Sequence, residues 1–189
     1  MTFGLFCTFG EHNFLNLPDS TLEIIHLTVG GYVINHVPHT LLGGLIGFLN
    51  TDHRVMRVTK CVNAADVKAT SDVGNIHVGG IAGRTNTNAG ITNVFIEHCL
   101  NLGTIEGITA GGIVGANHAG LTMNHCINAG LVIGNNVAGG VAGRDNTLSP
   151  YIPLYNYCVN VGVVLGKNPT TITGCIIGLK GTGVLNNCL

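Results

Sequence analysis

Charge is scarce in this sequence. Of 189 residues, eight are Lys or Arg and nine are Asp or Glu, 9% in all, where about a quarter is usual. The net charge at pH 7 is −1. With no basic surplus, attachment to a phosphate backbone has no electrostatic footing, and nucleic acid is excluded as a general partner. Long apolar runs are missing as well. The longest, residues 41–49 with their glycines, falls far short of the roughly 20 residues that span a bilayer, so no transmembrane segment is expected. The stretch from Phe3 to Phe9 is short and has no Lys or Arg before it, unlike a secretory signal. Seven cysteines in 189 residues are too few for a disulfide scaffold, and their odd number leaves at least one thiol free or paired between chains. No Cys-x-x-Cys pair and no His-Glu-x-x-His occurs, so the strongest zinc signatures are lacking and no cofactor is expected.

What the chain does have is glycine, 29 residues, within a composition that is 46% hydrophobic. That apolar content opposes disorder, and the length suits one domain with a sizeable core. The glycines recur in a block, Gly-Gly-apolar-x-Gly, that begins at Gly43, Gly79, Gly111 and Gly139, with a degenerate copy at Gly174. Successive starts are 36, 32, 28 and 35 residues apart. A second block, Cys-apolar-Asn-x-small-x-apolar, alternates with it from Cys61, Cys99, Cys126 and Cys158. Cys188 opens another copy, and residues 26–32 read as a worn early one. Two independent blocks alternating in fixed order mark a structural repeat.

Helical periodicity is absent, and glycine at this density costs a helix about 1 kcal/mol per residue. Units of about 30 residues with three short apolar stretches match one rung of a parallel β-solenoid. The expected fold is all-β, a right-handed parallel β-solenoid of about five rungs over residues 26–189, with residues 1–25 as an N-terminal strand or cap. Glycines are expected to turn the corners where φ is positive.

The runs 110–115, 123–132, 138–143 and 156–162 carry both blocks and resemble GLUG-motif repeats. The resemblance covers about residues 40–189. It implies a non-catalytic, structural or adhesive β-solenoid segment of a surface or secreted protein, with a protein or glycan ligand. The alternatives are a carbohydrate-active enzyme of the β-helix type and a partial copy of a larger repeat protein.

Residues that could carry chemistry sort by their repeat position. Cys61, Cys99, Cys126, Cys158 and Cys188 should stack one per rung, about 4.8 Å apart, as an inward column of reduced thiols, because side chains in parallel register hold Cβ atoms too far apart for good disulfides. Asn63, Asn101, Asn128 and Asn160 share their parity and should form an amide ladder. His98 and His125 each precede a repeat cysteine and should stack outward. His36 and His39, in His-x-x-His, are expected to anchor a loop. Arg84 and Arg144 occupy equivalent positions two units apart, with Ala116 between them. They are either solvated corners or contacts for a polymer with repeated anions. Tyr151, Tyr155 and Tyr157 lie in a proline-rich loop that could serve as an interaction surface. The acidic residues Asp66, Asp72, Asp145, Glu97 and Glu106 fall at different phases, against the clustered carboxylates that polysaccharide cleavage needs. Residues 178–189 hold one charge, Lys180, so end-to-end self-association through the C-terminal rung is expected, weakened by Lys at Val184 or Leu185.

Overall fold

The computed structural model describes residues 1–9, 21–51, 55–87, 94–146 and 152–189. Every described strand pairing is parallel and links one repeat to the next, so the chain winds as a β-solenoid of about five turns. Each turn visits three faces in order. The third face holds Thr21–Ile25, Val55–Thr59, Val94–Glu97, Leu121–Asn124, Leu154–Asn156 and Val184–Asn186. From there the chain crosses the cysteine corner onto a long first face, a sheet of 12 described strands that includes Val62–Ala69, Ile105–Gly111 and Val132–Gly139. The glycine block then turns it onto the second face: Phe6–Phe9, Ile46–Thr51, Ala82–Thr87, Val114–His118, Ala142–Asp145 and Ile177–Leu179. The described part of residues 1–25 supplies strands to all three faces, with Thr2–Phe3, Phe6–Phe9 and Thr21–Ile25 in register with the following turn.

Repeat register is kept throughout. Asn63 pairs with Asn101, Asn101 with Asn128 and Asn128 with Asn160. The worn copy read at residues 26–32 is displaced by one residue: Leu27, not His26, takes the cysteine place, and Val29, not Thr28, lies opposite Asn63. A register shift between Gly107 and Thr109 marks a bulge within the first face, where Ile105–Gly111 pairs with Val132–Gly139.

The corners overturn one expectation. Among the described residues the positive-φ positions are His26, His39, Lys60, His98, His125, Tyr157 and Asn187, and the only glycines there are Gly31 and Gly74. Except for His39, each of these non-glycine residues fills the place just before the repeat cysteine or its equivalent. The block glycines serve a different need, close approach. A Cβ on Gly112 would lie 2.1 Å from the Gly140 carbonyl oxygen and 2.4 Å from Asn128 Cγ. The second glycine of each pair therefore lets the chain press against the asparagine column. The apolar interior divides there into two clusters. One contains Leu45, Ile81, Ile113 and the buried cysteines; the other contains Leu42, Val67, Val78, Ile105 and Val132.

Candidate functional site

The inward columns are fully engaged with one another. Asn63 Nδ2 donates to Asn101 Oδ1 at 2.7 Å, Asn101 Nδ2 to Asn128 Oδ1 at 2.7 Å, and Asn128 Nδ2 to Asn160 Oδ1 at 2.8 Å. Each amide also donates to the carbonyl two residues onward, at 2.9–3.1 Å. The cysteines of the column are free thiols. Each Sγ lies near a carbonyl of the preceding turn, as with Cys126 to Ile96 O at 3.3 Å and Cys188 to Tyr155 O at 3.2 Å. Burial, with Cys158 and Cys99 as neighbours, holds the Cys126 thiol well above its ordinary range, which makes it a poor nucleophile. Replacing Cys126 with alanine should cost about 1–2 kcal/mol through lost packing. Thermal unfolding checks this, and an unchanged midpoint would contradict the packing role.

Other columns had no signal strong enough to stand out in the sequence. On the third face Asn124 donates to Glu97 Oε1 at 2.7 Å, Asn156 to Asn124 Oδ1 at 2.8 Å and Asn186 to Asn156 Oδ1 at 2.8 Å. Arg57 closes the top of this outer ladder through Glu97 at 3.2 Å. The trace in the sequence is an asparagine two places before three of the repeat cysteines. Inside the second face Thr85 donates to Asn117 Oδ1 at 2.5 Å, and Asn117 to Asp145 Oδ1 at 3.5 Å. Asp145 Oδ2 accepts from the Gly183 amide at 2.8 Å.

At the cysteine corner the side chains of His98, His125 and Tyr157 form an exposed stack. Ring centroids are 5.1 Å and 4.9 Å apart, and the planes are parallel within 1° and 4°. The tyrosine loop therefore divides. Tyr157 is half exposed, but Tyr155 is fully buried and cannot be a contact residue, because its parity on Leu154–Asn156 turns it into the core opposite Met123. Tyr151 lies outside the described residues. His36 Nδ1 sits 2.6 Å from Thr70 Oγ1, and His39 Nδ1 accepts from the Asn75 amide at 3.2 Å, so both anchor loops.

Two places bring together polar groups that the ladders leave unused. The first is a cleft of about 380 Å³ lined by Asp72, Asn135, Asn136, Lys167 and Asn168. Asn135 donates to Asp72 there, while Asn135 Oδ1 is buried without a hydrogen-bond partner. Close by in sequence, Lys167 also pairs with Glu106, which Lys68 meets from the other side at 2.7 Å. Burial raises the Glu106 pKa, but the hydrogen bonds and charges of Lys167 and Lys68 outweigh it and hold the carboxyl below its usual range.

The second place is on the second face. Phe48, Arg84, Ala116, Arg144 and Leu179 follow one another across five turns. Arg84 and Arg144 are half-buried, not solvated corners. The Nε of each is buried without a partner, as are both ring nitrogens of His77, which belongs to the first-face strand His77–Gly79. His118 lies beside His77, with ring centroids 6.1 Å apart, and approaches Asn146 Nδ2 at 3.3 Å. Burial, then His118 and the two guanidinium charges, drive the His77 pKa down to about 3. Burial and the same arginines lower His118 to about 4, with Asp145 opposing.

Among the described residues no group of three or more His, Cys, Asp and Glu could hold a metal ion, and no helix is long and apolar enough to cross a membrane. No family model and no curated protein matches the chain. A solved structure from Bacteroides ovatus, described as a "putative immunoglobulin A1 protease", superposes with a TM-score of 0.64 at 18% identity, over 88% of this chain. The chain spans 57% of that protein's length, and at this identity the likeness shows the fold alone.

Proposed function

We propose that this chain is a non-catalytic recognition segment of a surface or secreted protein, a member of the GLUG-type solenoids that presents glycan-binding surfaces on a rigid stack. The observation that carries the reading is the chemistry of the cleft. Its lining supplies hydrogen-bond donors and acceptors of the kind that meet sugar hydroxyls, including the unpartnered Asn135 oxygen. Its one carboxylate, Asp72, already accepts from Asn135, whereas glycoside hydrolysis ordinarily uses two carboxyl groups across the scissile bond. The Bacteroides ovatus neighbour, named for a protease, is compatible with a solenoid accompanying a catalytic region elsewhere in a longer chain. A glycan and matrix-protein array probed with the purified chain tests the reading. Retention of at least one polysaccharide, weakened by Asn135→Ala, is expected; an array that stays blank throughout would overturn it.

A further inference from the structure

We propose that the strip of the second face running from Arg84 across Ala116 to Arg144 binds an acidic polysaccharide, gripping carboxylates on alternate sugars with one guanidinium each. The inference rests on the glycan-recognition reading but concerns a different surface from the cleft.

The first support is unspent hydrogen-bonding capacity. Buried polar groups in folded proteins are almost always satisfied, so each exception calls for an explanation. Six side-chain atoms are buried and unpartnered among the described residues, and four belong to this one patch: Arg84 Nε, Arg144 Nε and the two nitrogens of His77. Charge is the second. Arg57, by contrast, is paired with Glu97 at 3.2 Å and lies 4.0 Å from Glu23. No ion pair reaches Arg84 or Arg144 among the described residues. Asp145, next to Arg144 in the chain, is buried on the inner side with Asn117 and the Gly183 amide. Two half-buried guanidinium groups without a counter-charge form an anion site of the kind arginine forks suit.

Geometry selects the class of anion. Ala116 separates the arginines by one turn on each side, so their strands are roughly 10 Å apart, twice the strand spacing. Guanidinium groups held at the spacing of their strands are too far apart for one carboxylate to bridge. An extended polysaccharide advances about one ring per strand, and a uronate on every second sugar would meet Arg84, pass above the fully buried Ala116 and meet Arg144. Phe48, whose ring lies 5.8 Å from the Arg84 guanidinium carbon, continues the strip with an apolar face. Neutral His77 and His118 leave the positive charge to the arginines alone at pH 7.

The test is calorimetric titration of the full chain with an octasaccharide that alternates glucuronate and N-acetylglucosamine. Its carboxyl-reduced form, free glucuronate and a single-stranded DNA of matched charge serve as comparisons. The acidic octasaccharide should bind, more weakly as salt rises, and at least ten-fold more tightly than the other three. Arg84→Gln and Arg144→Gln should each weaken it at least ten-fold, the double variant should abolish it, and Arg57→Gln should change nothing. If a Gln variant melts below the assay temperature, the matching Lys variant, which keeps the charge and loses the fork, should bind with intermediate affinity. Unchanged binding by the double variant would overturn the site. Equal binding of the carboxyl-reduced octasaccharide would overturn the acidic specificity while leaving glycan recognition standing. Binding of free glucuronate as tight as that of the octasaccharide, or dependence on one arginine alone, would overturn the two-point grip. DNA bound as tightly would overturn the polysaccharide.

Discussion

Replacing Asn128 with alanine is expected to lower stability by about 3–5 kcal/mol, because each buried polar group left without its partner costs about 1–3 kcal/mol. Asn128 sits in the middle of its column, fully buried. Its Oδ1 accepts from Asn101 Nδ2 at 2.7 Å and from the Gly130 amide at 3.3 Å, and its Nδ2 donates to Asn160 Oδ1 at 2.8 Å and to the Gly130 carbonyl at 3.0 Å. Truncation strands the Asn101 amide and the Gly130 carbonyl in the interior and leaves a void beside Gly112, whose backbone is packed against this side chain. A loss of that size is a large part of the 5–15 kcal/mol that holds an ordinary domain together. Chemical denaturation of the variant beside the parent chain measures it. A difference below about 1 kcal/mol would mean that the column is not a source of stability, given the usual spread for neutral surface changes.

Lowering the pH should produce the second large effect. His77 is buried, with a pKa of about 3 in the folded chain, against about 6.5 when unfolded. Between those values the unfolded chain takes up a proton that the folded chain refuses. Stability is therefore intact above about pH 6.5 and falls as the pH drops toward 3, by an amount on the order of 4 kcal/mol. His118, lowered to about 4, acts in the same direction over a narrower window. Glu106, held below its usual range by Lys167 and Lys68 despite its burial, adds to the loss at the acid end. A His77→Leu variant separates these contributions, since Leu41 occupies the same position one turn earlier. Its stability should fall by roughly half as much between pH 6.5 and 4 as that of the parent, His118 supplying most of the remainder. Parallel profiles would show that His77 is not the group responsible.

The two predictions differ in how far the sequence alone reaches. The Asn128 column could be read from spacing, because the Cys-x-Asn block repeats at fixed parity and parallel stacking brings equal positions together. The stacked His98 and His125 followed by the same logic. His77 could not. Its burial depends on how the second face folds back across the first beyond each Gly-Gly pair, and no recurring residue at that position announces it: the turn neighbours are Leu41 and Thr109. The same folding turns Arg84 and Arg144 from solvated corners into half-buried groups. The corner conformations were misread for a related reason. Abundant glycine suggested positive φ, whereas the block glycines answer to backbone contacts such as that between Gly112 and Gly140, and the left-handed corners went to Lys60, His98, His125 and Tyr157. Tyr155 and Tyr157, two places apart in one strand and corner, show how a single change of side separates a core residue from an exposed one.

Binding without chemistry is most directly tested by the length of the bound polymer. The chain, at saturating concentration, should be incubated with the alternating glucuronate octasaccharide, and both the retained and the free sugar should be sized by mass spectrometry. The expected result is retention on the protein with every chain still eight sugars long. Shorter oligosaccharides produced by the native protein, and not by the heat-unfolded one, would contradict a recognition role and establish a carbohydrate-cleaving enzyme.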